Sequence, residues 1–157
     1  MSRSKAILAG AVMAAVLPFA SALAQAAPKS DTEATALKSS ELTYNDISVP
    51  GFDAGLQMAL LHGDPGKAEP YTLRLKFPDG YAFPPHWHPN LEHVTVVSGA
   101  FYLGMGDTVN KEAAMAYQPG DYLIAPPRMS HFGWVKGETV IQLHGIGPFD
   151  IKLAGEK

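Results

Sequence analysis

The sequence contains no cysteine and few charged residues, and both shortages narrow the possible functions. Without cysteine, the chain forms no disulfide, thiolate zinc site or iron–sulfur cluster and has no cysteine nucleophile. Charged residues make up 17% of the 157 residues, the net charge is −3, and no cluster of lysine and arginine occurs. Because nucleic-acid binding requires a basic surface, we expect no nucleic-acid partner.

Long hydrophobic runs are also absent, except near the N-terminus. Arg3 and Lys5 precede an uncharged, alanine-rich stretch that ends in the small-residue pattern Ala22-Leu23-Ala24. A positive segment, an apolar segment and an A-x-A site are typical of a secretory signal peptide. We therefore predict a signal peptide over residues 1–24 and a periplasmic or secreted protein that has no membrane association after cleavage. An uncleaved membrane anchor is the alternative.

Turn-forming residues are abundant. Fifteen glycines and thirteen prolines occur, many of them between short apolar or alternating segments that begin near residue 42. Residues 25–41 have no apolar period and predict a flexible tether. The predicted strands are Leu56–Leu61, Tyr71–Phe77, Tyr81–His88, Glu92–Val97, Phe101–Met105, Tyr122–Ile124, His131–Val135, Thr139–His144 and Phe149–Leu153. Their spacing predicts one all-β domain, a sandwich or barrel, over residues 42–157.

A histidine cluster carries the clearest chemical information. Three of the six histidines lie within Pro84–His93. Residues two apart on a strand share a face, so His86 and His88 project together, and a turn at Pro89 brings Glu92 beside them. Two imidazoles and a carboxylate that converge on one point are typical of a transition-metal site. The alternative is a solvated hairpin end with incidental histidines.

The spacing around this cluster is similar to that of a known superfamily. The pattern Gly80-x5-His86-x-His88-x3-Glu92-x6-Gly99 resembles the first motif of the cupins at each of its five positions. Five matches at fixed spacing make this resemblance specific.

A partial likeness to the second cupin motif follows. Gly120, Pro126 and His131 keep the spacing G-x5-P-x4-H. Arg128 stands where the family usually has glycine, and Val135 stands where it usually has asparagine. The histidine therefore stays in register, while we expect the local turn and its polar contacts to differ from the family pattern.

The resemblance implies a cupin-type double-stranded β-helix, a small jelly-roll-like barrel that encloses one metal ion. It implies His86, His88, Glu92 and His131 as the metal ligands. Three imidazoles and one carboxylate suit Fe, Mn, Ni, Cu, Co or Zn better than Ca or Mg. In a six-coordinate site, four protein ligands leave positions open for water or a small molecule.

The roles of three further polar residues depend on which face of its strand each side chain occupies. His93 follows Glu92 directly, so strand parity sends it to the opposite face and away from the metal. Gln142 and His144 share one face of a late strand, and either face of that strand could line the barrel. If both face inward, they become substrate-contacting groups, and His144 becomes a candidate general base.

The sequence leaves two classes of function open. One is a metal-dependent enzyme, dioxygenase-like or isomerase-like, that acts on a small organic molecule. The other is a non-catalytic module that binds or senses a metal or a small ligand. We also predict a homodimer, because jelly-roll barrels of this size leave strand edges and aromatic surface to cover.

Overall fold

The computed structural model describes residues 34–155. The predicted signal peptide and residues 25–33 of the predicted tether lie outside this range. Within it, the strands are β1 (Asn45–Asp46), β2 (Gln57–His62), β3 (Pro70–Phe77), β4 (Ala82–Trp87), β5 (Glu92–Met105), β6 (Met115–Tyr117), β7 (Tyr122–Ala125), β8 (His131–Ile146) and β9 (Lys152–Leu153). The helical segments of this range are two 3-10 turns, Ser39–Glu41 and Lys111–Ala113. Neither turn is long enough to cross a membrane, and the described range holds no longer helix.

Two antiparallel sheets share the long strands β5 and β8 and so form the barrel. The first sheet has the order β1-β2-β3-β8-β5-β7 and uses the second half of β8 with the first half of β5, where Val94 pairs with Leu143. The second has the order β9-β4-β8-β5-β6 and uses the other halves, where Leu103 pairs with Gly133. The predicted all-β fold is confirmed.

The shared strands correct one feature of the sequence prediction. The predicted strand bounds leave Gly99 and Gly137 between separate short strands, but both lie inside continuous strands, at φ values of 80° and 74°. The pairing of β5 with β8 shifts register between Val96 and Ala100. Glycine accommodates such positive φ values without steric strain, so the strands can pass from one sheet to the other here.

The barrel interior is filled by the alternating apolar residues of the strands. On β3 the buried residues are Tyr71, Leu73, Leu75 and Phe77, whereas Thr72, Arg74 and Lys76 are half-buried on the outer face. This pattern confirms the predicted strand with one buried face. Each large apolar side chain buried in this way contributes about 1.5–3 kcal/mol to folding.

Candidate metal centre

Three strands bring the predicted ligands to one place inside the barrel. His86 lies near the end of β4 and pairs directly with His131, the first residue of β8. His88 follows β4 by one residue, and Glu92 begins β5. One ring nitrogen from each of the three histidines lies within 4.8 Å of the others.

Glu92 completes this cluster. Its Oε2 atom lies 3.4 Å from Nε2 of His88 and 3.9 Å from Nε2 of His131. All four side chains are buried, with exposures of 4–6%. The structure thus gathers the four residues that the motif spacing singled out, at the inner surface of the barrel.

Backbone carbonyl groups fix the orientation of all three imidazole rings. Nδ1 of His86 donates a hydrogen bond to the carbonyl oxygen of Pro84 over 2.8 Å. Nδ1 of His88 donates to Asp150 over 2.8 Å, and Nδ1 of His131 donates to Met129 over 3.0 Å. Because a carbonyl only accepts, each Nδ1 carries the proton and each Nε2 presents a lone pair to the cluster.

Burial keeps the three rings neutral. Burial, together with the neighbouring imidazoles of His131 and His88, lowers the pKa of His86 to about 3. Burial also lowers the pKa values of His88 and His131. The same loss of solvation raises the pKa of Glu92 to about 7, since a buried carboxylate is poorly stabilised.

The donor chemistry fits a divalent transition metal. Neutral Nε2 atoms and an ionised Glu92 carboxylate are all acceptors, so they repel one another unless a proton or a cation lies between them. A cation removes this repulsion at every donor at once, and a set of imidazoles and a carboxylate favours first-row transition metals. The four residues can therefore hold such an ion.

The two departures from the second cupin motif leave this arrangement intact. Arg128 takes up a left-handed conformation with a φ of 61°, so the turn keeps the geometry that glycine usually provides. Its backbone N–H donates to the carbonyl oxygen of His88 over 2.8 Å. Val135 is buried in the core, and its N–H donates to Tyr81 over 2.9 Å.

A small cavity of about 50 Å³ adjoins the four donors. Besides the donors, its lining consists of apolar side chains: Phe52, Leu56, Leu75, Phe77, Phe83, Val94, Phe101, Leu103, Leu123, Ala125, Ile141, Leu143, Phe149 and Ile151. Among the described residues, the cavity lining therefore offers no acid or base apart from Glu92 and the three histidines.

The late strand β8 turns the other polar candidates away from this cavity. Ile141 and Leu143 take its inward positions, so Gln142 and His144 lie on the outer face. Gln142 accepts a hydrogen bond from Nε of Arg74 over 3.2 Å. The inward orientation that we considered for Gln142 and His144 is therefore wrong, and neither contacts the cavity.

His93 lies on the same outer face, as strand parity predicts. Its ring stacks on that of His144 with the centroids 4.5 Å apart, and Nδ1 of His93 is hydrogen-bonded to the hydroxyl of Tyr122. The two residues line a separate surface cleft. Glu92 and His93 are thus neighbours in sequence on opposite faces of the sheet.

Sequence reasoning missed the groups that surround the ligands. The carbonyls of Pro84, Met129 and Asp150 are backbone atoms, which no residue-type pattern reveals. The rings of Phe52 and Phe149 contact His86 and His88, with centroid separations of 5.1 and 5.0 Å. Both phenylalanines are far from the motif in sequence, so only the fold brings them there.

Comparisons with known proteins identify the family of this chain. The family model of the ChrR cupin-like domain matches residues 37–150. A putative germin-like protein 9-2 from Oryza sativa subsp. japonica is 39% identical over 64 residues, which cover 40% of this chain. The matched segment spans only 30% of that plant protein.

Solved structures with a similar fold include two of named proteins. The polyketide cyclase RemF from Streptomyces resistomycificus has a TM-score of 0.64 and 15% identity, over 80% of this chain and 88% of its own. KdgF from Halomonas sp. has a TM-score of 0.55 and 22% identity, over 73% of this chain and 94% of its own. At these identities the likeness shows the fold alone, a double-stranded β-helix barrel.

Proposed function

Because the chain belongs to the ChrR cupin-like domain family of the cupin superfamily, we propose that it is a metal-dependent enzyme of the oxidoreductase type that acts on a small molecule. The observation that carries this proposal is the convergence of three neutral Nε2 atoms and the Glu92 carboxyl group in a buried cavity. His86, His88, Glu92 and His131 are the proposed ligands of one divalent ion of Fe, Mn, Ni, Cu, Co or Zn.

The protein's own groups prepare this site in two ways. The three backbone carbonyls hold the imidazole rings so that they need not reorient when the site is filled. The apolar lining excludes bulk water and so strengthens electrostatic interactions in the cavity. Bound there, a transition metal supplies Lewis-acid or electron-transfer chemistry at its open positions.

An isomerase mechanism has less support than oxidoreductase chemistry. Isomerisation by proton transfer requires a general base within hydrogen-bond reach of the substrate. His144 was the candidate, and it lies on the outer face of the sheet beside His93. Within the described residues, no other base outside the ligand set lines the cavity.

The lack of a general base among the described residues of the cavity lining supports a second candidate function. This is a module that binds or senses a small ligand without converting it. Oxygen consumption by the protein loaded with a redox-active metal, iron or manganese, in the presence of a reductant distinguishes the two functions. We expect uptake of dioxygen that stops when a chelator removes the metal. Stoichiometric metal without any oxygen consumption supports the binding module instead.

Metal content measured on matched variants tests the ligand assignment. We expect about one metal ion per chain in the unmodified protein and in His93→Ala, and a strong loss in His131→Ala and Glu92→Ala. The loss of affinity in these two should exceed the ~10–100-fold that removal of an outlying hydrogen-bond partner causes. Loss of metal in His93→Ala with retention in Glu92→Ala would show that the register assignment is wrong.

Export to the periplasm or beyond is a further proposal. Its support is the positive segment, the apolar segment and the Ala22-Leu23-Ala24 pattern at the N-terminus. N-terminal sequencing of the exported protein should find a chain that begins near Gln25 or Ala27. Recovery of the full-length chain in the membrane fraction would contradict this proposal.

A further inference from the structure

The residues that line the metal-site cavity differ in their exposure to solvent. The four donors and eleven of the apolar lining residues are buried, with exposures of 9% or less. Only Phe52, Phe149 and Ile151 are partly exposed. The cavity therefore meets solvent at these three residues, which come from two segments, one before β2 and one between β8 and β9.

The three partly exposed residues form the mouth of the cavity. Local contacts hold the rings of Phe52 and Phe149 over the ligand histidines. Phe149 stacks on His88 with an angle of 21° between the ring planes, and its backbone N–H donates to Pro65 over 2.6 Å. Phe52 packs edge-on against His86, and its N–H donates to Val49 over 3.0 Å. Because each ring contacts a ligand imidazole, a bulky molecule that enters here must displace at least one ring from its imidazole.

The volume behind the mouth limits what the cavity holds. It measures about 50 Å³ as the space open to the centres of water-sized molecules. One water needs about 10–15 Å³ on this measure, so the cavity has room for an ion and a ligand of roughly two or three non-hydrogen atoms. A bulky polar substrate would in addition find no hydrogen-bond partner in the apolar lining, which is costly.

We propose that Phe52, Phe149 and Ile151 form a selective mouth that restricts the ligands of this site to molecules with two or three non-hydrogen atoms, about the size of dioxygen or formate. The inference rests on the proposed metal site and narrows the class of its ligand. Larger organic molecules are excluded by the two rings rather than by the coordination chemistry. Truncation of one ring should therefore admit them.

Ligand titrations of the cobalt(II)-loaded protein test this proposal through the visible absorption of the ion. Formate and benzoate share a carboxylate donor, and benzoate carries a phenyl ring where formate has a hydrogen atom. We expect formate to perturb the spectrum of the unmodified protein and benzoate to bind at least about tenfold more weakly. Phe149→Ala should tighten benzoate binding at least about tenfold while formate binding changes little.

The matched control is Tyr102→Ala. It also removes a partly buried aromatic ring, one that stacks on Trp134 and does not line the cavity. Benzoate should stay excluded in this variant. If Phe149→Ala folds poorly, Phe52→Ala replaces it, because this variant removes the other aromatic ring of the mouth.

Each outcome of these titrations has a distinct meaning. Equal binding of formate and benzoate to the unmodified protein, or equal changes for both ligands in Phe149→Ala and Phe52→Ala, would overturn the selective mouth and leave the metal site standing. Failure of the unmodified protein to take up cobalt would overturn the proposed metal function, and the mouth with it.

Discussion

The proton on Glu92 makes the metal affinity of the site depend on pH. Burial raises its pKa to about 7 in the metal-free protein, so an incoming metal must displace a proton below that pH. His86, with a pKa of about 3, is already neutral and adds no proton in this range. We expect the affinity to fall about tenfold for each pH unit below 7 and to level off above it.

Competition titrations against a chelator between about pH 5.5 and 8 measure this dependence. Glu92→Gln keeps the shape of the side chain but has no proton to displace. This variant should bind metal more weakly and with a nearly constant affinity over the same range. A flat profile for the unmodified protein would mean that metal binding displaces no proton from Glu92 in this range.

Arg128 offers a test of backbone strain beside the site. Its left-handed φ of 61° destabilises the folded state by about 1–2 kcal/mol for a non-glycine residue. A glycine would avoid this strain, but it would lose about 0.5–1 kcal/mol because its unfolded chain has more conformational freedom. Arg128→Gly should therefore raise the free energy of unfolding by up to about 1 kcal/mol in urea denaturation. Arg128→Ala keeps the Cβ atom and should bring no such gain; an equal gain in both variants would remove backbone strain as the cause.

At the level of single residues, the sequence predicted what fixed spacing and strand parity determine. The motif spacing placed His131 beside the cluster around His86, and parity separated Glu92 from His93. The orientation of Gln142 and His144 stayed open because both neighbouring faces of β8 carry residues that tolerate burial. The mouth residues could not be predicted, since they reach the ligands only through the closed barrel.

Strands β5 and β8 show how far sequence patterns determine the elements. Gly99 and Gly137 are ordinary turn residues, so their local sequence predicts one short strand on each side of each glycine. In the folded barrel the long pairing of β5 with β8 continues through both glycines, because tertiary pairing outweighs the local turn preference. The bounds of an element therefore depend on partners that are distant in the chain.

We expect substitution of Gly99 and of Gly137 to lower the stability of the protein by different amounts. A Cβ atom at Gly99 would lie 2.7 Å from the carbonyl oxygen of Glu138 and would also clash with Oγ1 of Thr139, whereas one at Gly137 has no neighbour within 4 Å. Both residues have a positive φ, so Gly137→Ala should lower stability by about 1–2 kcal/mol. Gly99→Ala should lower it by roughly a further 1–3 kcal/mol.

Urea denaturation of the two metal-free variants measures this difference. Gly137→Ala serves as the control for the backbone term, because it lacks the close approach between strands. Equal losses in both variants would show that β5 and β8 can separate at Gly99 without penalty.

For the whole molecule, the homodimer remains a prediction, and the edge strand β7 is where we expect it to form. Among the described residues, β7 pairs only with β5, and it exposes Tyr122 and Ile124 at 51% and 43%. Unpaired backbone and apolar side chains at one edge favour association with a second copy. Light scattering at micromolar concentration should give the mass of two chains.

Ile124→Lys should shift this mass toward one chain, because it places a charge at the expected contact. Val109→Lys is the control, since Val109 is exposed to a similar extent, at 49%, in the loop between β5 and β6. A monomeric mass for the unmodified protein contradicts the homodimer. A dimer that survives Ile124→Lys moves the contact away from β7.

The hydrogen bond between His88 and Asp150 links the order of synthesis to the formation of the site. The four donors lie between residues 86 and 131, but the carbonyl that orients His88 and the ring that covers it belong to residues 150 and 149. β9, at residues 152–153, then pairs with the strand that carries His86. Because the donors precede residues 149–153 in the chain, His88 gains its orienting carbonyl and its covering ring only when this last segment has been made and has docked.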